Sequence, residues 1–233
     1  MSTRALEFVI PGDLHSASGG YVYDRSMAAG LDALDWRVNV RKLDASFPSP
    51  TSEALAQAER VFAGLPDRAC VLVDGLALGA IAHLVEAHAH RLTLVALIHM
   101  PLASEFGIAP AVAERLRRQE RSALRWVRHA IVTSRCTEHE LGMYGVEQSR
   151  VSVVEPGVWT APLADASGDC AREGAVRMLC VATIQEGKGH EMLIEALAPL
   201  AHLPWRLQCV GSLSRSVGRT NRSAARYRSL SAV

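Results

Sequence analysis

Apolar and polar residues along this chain follow two periods that take turns. Leu6 to Ile10 is a short apolar run, which predicts a strand. Over residues 21–35, Met27, Leu31 and Leu34 recur at helical spacing and predict one helix face. Arg37 to Leu43 alternates, with Val38, Val40 and Leu43 apolar, as a strand does. Pro48-Ser49-Pro50 then precedes a helix near residues 52–64, with Thr51 or Ser52 as its N-cap. Ala69 to Val73 predicts a strand ending at Asp74-Gly75, and residues 77–89 a helix. Leu92 to Ile98 is the most apolar strand of the chain. A long charged helix over 110–127, a strand over Ala130 to Thr133 and a short helix over 137–143 follow. Val151 to Val154 is a strand closed by Glu155-Pro156-Gly157.

Strands that alternate with helices predict a doubly wound parallel α/β sheet covered on both faces. The apolar continuity of Leu92 to Ile98 fits a strand buried on both sides. Residues 160–175 carry Pro162, Gly168 and Gly174 without a period, and are expected to link two units. A second βαβ follows. Its first strand runs over Met178 to Thr183, its helix carries Met192, Leu193, Ala196, Leu197 and Leu200, and its second strand runs over Trp205 to Val210. The expected organisation is a Rossmann-like domain over residues 1–160, a linker over 161–175, a partial Rossmann-like domain over 176–213 and a basic tail over 214–233.

That tail breaks the pattern. No Asp or Glu follows Glu195, and residues 214–233 hold Arg215, Arg219, Arg222, Arg226 and Arg228 with almost no apolar period. A disordered basic tail is the first expectation. A reading-frame change or truncation is the second, favoured by the abruptness of the break after Leu213. A nucleic-acid arm has only Tyr227 to stack on a base.

Composition narrows the function classes. The 233 residues are 49% apolar with a formal net charge of +1, which gives no bulk argument for nucleic acid or an anionic membrane. The five cysteines, Cys70, Cys136, Cys170, Cys180 and Cys209, have no C-x-x-C spacing. Cys70, Cys180 and Cys209 lie in apolar runs, where thiols act as small hydrophobes, so a reduced, cytoplasmic protein is expected. No run reaches the ~18 apolar residues of a membrane span, and no signal-peptide core follows Met1. Peripheral membrane contact stays open.

Three places carry candidate chemistry. Lys188, in the turn Gly187-Lys188-Gly189-His190 between a strand and a helix, suits a phosphate, because free backbone N–H groups and the helix dipole face the same point. Ser16-Ala17-Ser18-Gly19-Gly20-Tyr21 lies between the first strand and helix, where glycines let a ligand approach the backbone. No G-x-G-x-x-G is present, which argues against a dinucleotide site. His99 follows the strongest strand on the same sheet edge, with Glu105 in the same loop able to orient a hydroxyl. His83, Glu86, His88 and His90 lack metal-site spacing and read as a solvated helix face.

Taken in order, the segments resemble a known family. They are Ser18-Gly19-Gly20, Leu97-Ile98-His99-Met100-Pro101, Val132-Thr133-Ser134, Val154-Glu155-Pro156-Gly157-Val158, Lys188-Gly189-His190 with Leu193, Ile194 and Ala196, and Cys209-Val210-Gly211-Ser212. The ordered set, over about residues 6–213, resembles GT4-type glycosyltransferases of GT-B architecture. The resemblance implies two Rossmann-like domains, an acceptor-binding first and a donor-binding second. It implies sugar transfer from a nucleotide-sugar donor to an unknown acceptor, with retention of anomeric configuration and no metal or other cofactor. Gly19 and Gly20 would lie near the donor diphosphate and His99 would contact the donor sugar as the catalytic-site histidine. Lys188, with Gly189 and Gly211, would bind the donor, and Glu105 would contact acceptor or sugar. The chain departs from the family at Thr183, where an arginine is usual, at Trp159, where an acid is usual, and in lacking an E-x7-E segment. Those departures motivate the alternative of a non-catalytic remnant or binding module.

Overall fold

The structure, a computed structural model, describes residues 4–163, 176–184 and 186–211. They fall into two compact units that divide between Val158 and Trp159.

The first unit is built on six strands: β1 (Arg4–Pro11), β2 (Trp36–Leu43), β3 (Cys70–Asp74), β4 (Thr93–Ile98), β5 (His129–Val132) and β6 (Val151–Val153). They form one sheet in the order β2-β1-β3-β4-β5-β6, with every pair parallel. Helices α1 (Gly19–Asp32), α2 (Ser52–Ala63), α3 (Gly75–Leu78), α4 (Ala82–His88), α5 (Pro110–Leu124) and α6 (Arg135–Met143) make the connections. This is the doubly wound α/β fold that the alternation predicts. Chain direction across the sheet reverses between β1 and β3, so a crevice opens beyond their carboxyl ends.

Each face of the sheet carries its own apolar layer. Val9, Val71, Val73, Leu94, Ala96 and Ile98 point to the larger one, with Ala58 and Phe62 of α2, Leu84 of α4 and Leu124 of α5. Phe8, Ile10, Leu72 and Leu97 point to the other, where Tyr23, Met27 and Leu31 of α1 cover them. The one acid of β1, Glu7, is buried and accepts from Asn39 at 2.9 Å and Arg41 at 2.6 Å, both on β2.

Two sequence expectations need correction. Residues 77–89 are not one helix. The turn after Asp74 starts α3 at once, and Gly79 packs against the backbone of α5, where a Cβ would stand 3.2 Å from Glu120 N. The chain breaks there and resumes as α4, which leaves His90 beyond the helix. Leu34 does not join the core face of α1. The helix ends at Asp32, and Leu34 is 69% exposed. Thr51 is the N-cap of α2, accepting from Ala54 N at 3.2 Å.

Gly75 couples the fold to the site. A Cβ there would lie 3.1 Å from both Leu97 O and Ile98 Cδ1. Gly75→Ala is expected to cost about 1–2 kcal/mol, read as a lower urea midpoint at unchanged m-value.

In the second unit, β7 (Val176–Val181) and β8 (Trp205–Val210) pair in parallel, and α7 (His190–Leu197) connects them. Lys188 ends a short 3-10 turn, Glu186–Lys188, and Gly189 takes φ +70° to start α7. Leu179, Val181 and Met192 are exposed here. The expected linker over 161–175 and tail over 214–233 lie largely or wholly outside the described residues. Among the described residues, no helix is long and apolar enough to cross a membrane.

Candidate active site at the carboxyl edge of the sheet

The crevice beyond β1 and β3 is lined by the loop after β1, the start of α3 and the loop after β4. Gly12, at φ +71°, turns the chain off β1 while its N–H still bonds Leu43 O on β2. Arg25 of α1 reaches back to hold this loop, donating to Leu14 O at 2.5 Å and Ser16 O at 3.2 Å. Ser18 caps α1 by accepting from Tyr21 N at 3.4 Å, and Tyr21 Oη donates to Pro11 O at 2.7 Å. The loop is thereby fixed at both ends.

His99 follows β4 directly. Its carbonyl accepts from Thr133 Oγ1 at 3.1 Å and Thr137 Oγ1 at 3.3 Å, which ties it to the β5–α6 connection. The ring passes over the start of α1. A Cβ on Gly20 would sit 3.4 Å from His99 Cδ2, so the missing side chain admits the imidazole. A Cβ on Gly19 would meet nothing within 4 Å, so that backbone faces open space. Tyr23 stacks edge-on against the imidazole, with centroids 5.4 Å apart.

Beneath His99 lie two acids that the sequence reading did not single out. His99 Nε2 donates to Asp24 Oδ1 at 3.0 Å. Asp24 on α1 is wholly buried, and Asp74, the last residue of β3, is 1% exposed. Asp74 accepts from Leu76 N at 2.7 Å and so caps α3. Ligand atoms of Asp24, Asp74 and His99 lie within 4.8 Å of one another.

Two buried carboxyls beside one imidazole cannot all ionise cheaply. Burial, then the charge of Asp24, raises the Asp74 carboxyl from 3.8 to about 7. Asp24 Oδ2 is enclosed without a conventional donor, and a protonated Asp74 beside it is the group able to supply one. For His99, burial alone works against the charged ring. The hydrogen bond and charge of Asp24, with the charge of Asp74, outweigh it and hold the imidazole above its ordinary 6.5. The ring is held in place from below, is 27% exposed through its side chain, and its charged form is favoured by the two acids beneath it. Such a ring donates hydrogen bonds and stabilises negative charge or polarised hydroxyls in front of it.

Glu105, expected beside this site, is exposed after the short turn Leu102–Ser104. The acid that shapes this loop is Glu120 of α5. It is buried and accepts from Leu102 N at 2.7 Å and Tyr144 Oη at 3.4 Å. Burial raises the Glu120 carboxyl despite those donors. Lys188, Gly189 and Gly211 belong to the second unit. Lys188 is exposed. A Cβ on Gly211 would lie 1.8 Å from Ala182 O, so β8 needs glycine at that point to pass β7.

The histidine group on α4 is dispersed. His88 packs on Phe62 and accepts from Arg91 Nε at 3.0 Å. His83 and Glu86 line an open groove of about 460 Å³ with Arg115 and Arg118 of α5. None of Asp24, Asp74 and His99 lines that groove. A second set with metal-ligand atoms within 4.8 Å of one another is Cys180, His190 and Cys209.

No family profile matches the sequence, and no curated protein matches it. Solved structures do match the fold. HepE of Anabaena, solved in complex with UDP and glucose, aligns with TM-score 0.58 at 17% identity, over 88% of this chain and 60% of that one. The lipopolysaccharide outer core galactosyltransferase WaaB, in its apo form, aligns with TM-score 0.56 at 13% identity, over 97% of this chain and 65% of that one. The chain thus spans less than two thirds of the length of either structure. Its parallel sheet and flanking helices share the fold of GT-B glycosyltransferases.

Proposed function

We propose that the chain takes part in glycosyl transfer from a nucleotide-sugar, with a UDP-sugar as the first candidate donor. The observation that carries this reading is His99. It stands at the carboxyl edge beside the switch point, held as a hydrogen-bond donor by a buried acid, in a fold shared with a protein solved with UDP and glucose. The loop after β1 supports the same reading. The N-terminus of α1, with the open backbone at Gly19, suits a diphosphate.

In this reading Gly19 and Gly20 face the diphosphate and His99 contacts the sugar. Lys188, at the turn before α7, neutralises the departing phosphate together with the backbone at Gly189 and Gly211. Glu105 contacts acceptor or sugar. The anomeric C–O bond to the diphosphate breaks, a bond to the acceptor oxygen forms, and the acceptor proton passes to the leaving phosphate. Configuration is retained, the transfer chemistry uses no metal or added cofactor, and the protein works in the cytoplasm. The ordered segments support a GT4-type assignment.

The test is a panel of UDP-, GDP- and ADP-sugars, with release of the nucleoside diphosphate as readout. Turnover of one donor is expected, and Lys188→Ala is expected to lower it about 100-fold. A second reading, a non-catalytic binding module without the donor-site acidic pair, is favoured by the lack of any acid between Glu195 and Val233. Donor binding by calorimetry without turnover would select it. Neither turnover nor binding across the panel would overturn both.

A further inference from the structure

Cys180 and Cys209 are direct partners in the β7–β8 register, so their side chains leave this two-stranded sheet on the same face. His190, the first residue of α7, is 2% exposed and brings Nε2 to 3.7 Å from Cys180 Sγ. All three ligand atoms lie within 4.8 Å of one another. A tetrahedral zinc with Zn–S of about 2.3 Å and Zn–N of about 2.0–2.1 Å has an S···N edge of about 3.6 Å and an S···S edge of about 3.8 Å. The Cys180–His190 separation is already close to such an edge.

We propose that Cys180, His190 and Cys209 together bind one soft divalent cation, zinc foremost, with the fourth position open to water or an outside ligand. Two sulfurs and an imidazole select zinc over magnesium or calcium, which prefer oxygen. The exposure of Cys209 provides the entry path. Both sulfurs bind as thiolates, so binding releases their protons to solvent. The bonds formed are two metal–thiolate and one metal–imidazole, with no redox change.

The cation has a structural task here. It joins β7, β8 and the start of α7, three elements that leave Leu179, Val181 and Met192 exposed. A metal staple is a common means of fixing a unit with little core. It also anchors the residue that follows Lys188-Gly189, and so the turn that presents the lysine. This differs from the sequence expectation that Cys180 and Cys209 are small hydrophobes. It does not depend on the proposed transferase activity.

The full chain, stripped by chelator under reductant, is titrated with Co²⁺ and then Zn²⁺. One equivalent of cobalt is expected to give sulfur-to-metal charge-transfer and tetrahedral d–d bands, which zinc displaces. Cys180→Ser and Cys209→Ser are expected to abolish the charge-transfer band and weaken affinity at least about tenfold. Cys136→Ser, at an exposed site on α6, should leave it unchanged. Zinc should shield Cys180 and Cys209 of the unmodified chain from alkylation, a readout that needs no variant to fold. Absence of the cobalt–thiolate band, its persistence in the double serine variant, unshielded cysteines, or a Cys180–Cys209 disulfide that survives reductant would each overturn the proposal.

Discussion

Asp24→Ala is expected to cost the first unit about 3 kcal/mol of unfolding free energy and to bring His99 below its ordinary imidazole value. Asp24 is the group that lets a half-buried histidine hold a proton, through the 3.0 Å hydrogen bond and its charge. Without it, burial prevails and the ring goes neutral. The deletion also leaves a gap under Gly20 and deprives the acid of Asp74 of its neighbour. Denaturant unfolding measures the first effect, and the pH titration of His99 ring signals by NMR measures the second. Asp24→Asn keeps the shape without the charge, and should restore most of the stability but little of the His99 shift. A His99 titration that does not move in either variant would show that Asp24 does not set its charge.

Asp74→Asn is expected to flatten the pH dependence of stability. The folded state binds a proton at Asp74 more tightly than the unfolded chain, since its carboxyl is raised to about 7. The raised His99 works in the same direction. Stability from both groups is therefore fully present at acid pH. The Asp74 part is lost as pH rises from 3.8 to about 7, and the His99 part as pH rises through that ring's own raised value. Between about pH 5 and about pH 8.5 the wild type should lose roughly 3 kcal/mol relative to Asp74→Asn. The amide keeps a donor for Asp24 and has no proton to release. Urea midpoints across this range decide the matter, and parallel profiles for the two proteins would contradict it.

The fold was far more legible in the sequence than the site. Strands such as Leu92 to Ile98 announce themselves because a central parallel strand is apolar on both faces. The break at Gly79 was hidden because apolar residues continue across it. Only the close approach of α5 decides it, and that contact joins residues about 40 positions apart. Gly20 and His99 stand on the same edge in the sequence pattern, but the reason they belong together is spatial. Asp24 and Asp74 each leave a trace in the sequence. Asp24 shares the inward stripe of Met27 and Leu31, and Asp74 ends an apolar strand. An acid at an inward position of an apolar element needs a partner, and for Asp24 that partner is His99. The loop that carries Glu105 is organised by Glu120 on a different element, a contact that spacing along the loop does not reveal.

Tyr23 has one further consequence. Its ring lies edge-on to His99, and its hydroxyl donates to Val154 O at 2.8 Å, just past β6. One rigid aromatic strut thus spans from the imidazole to the segment by which the chain leaves this unit. Displacement of His99 by a ligand is therefore expected to reach that exit through Tyr23, and Tyr23→Phe, which loses the bond to Val154 O, to uncouple the two, as read by amide exchange near Val154.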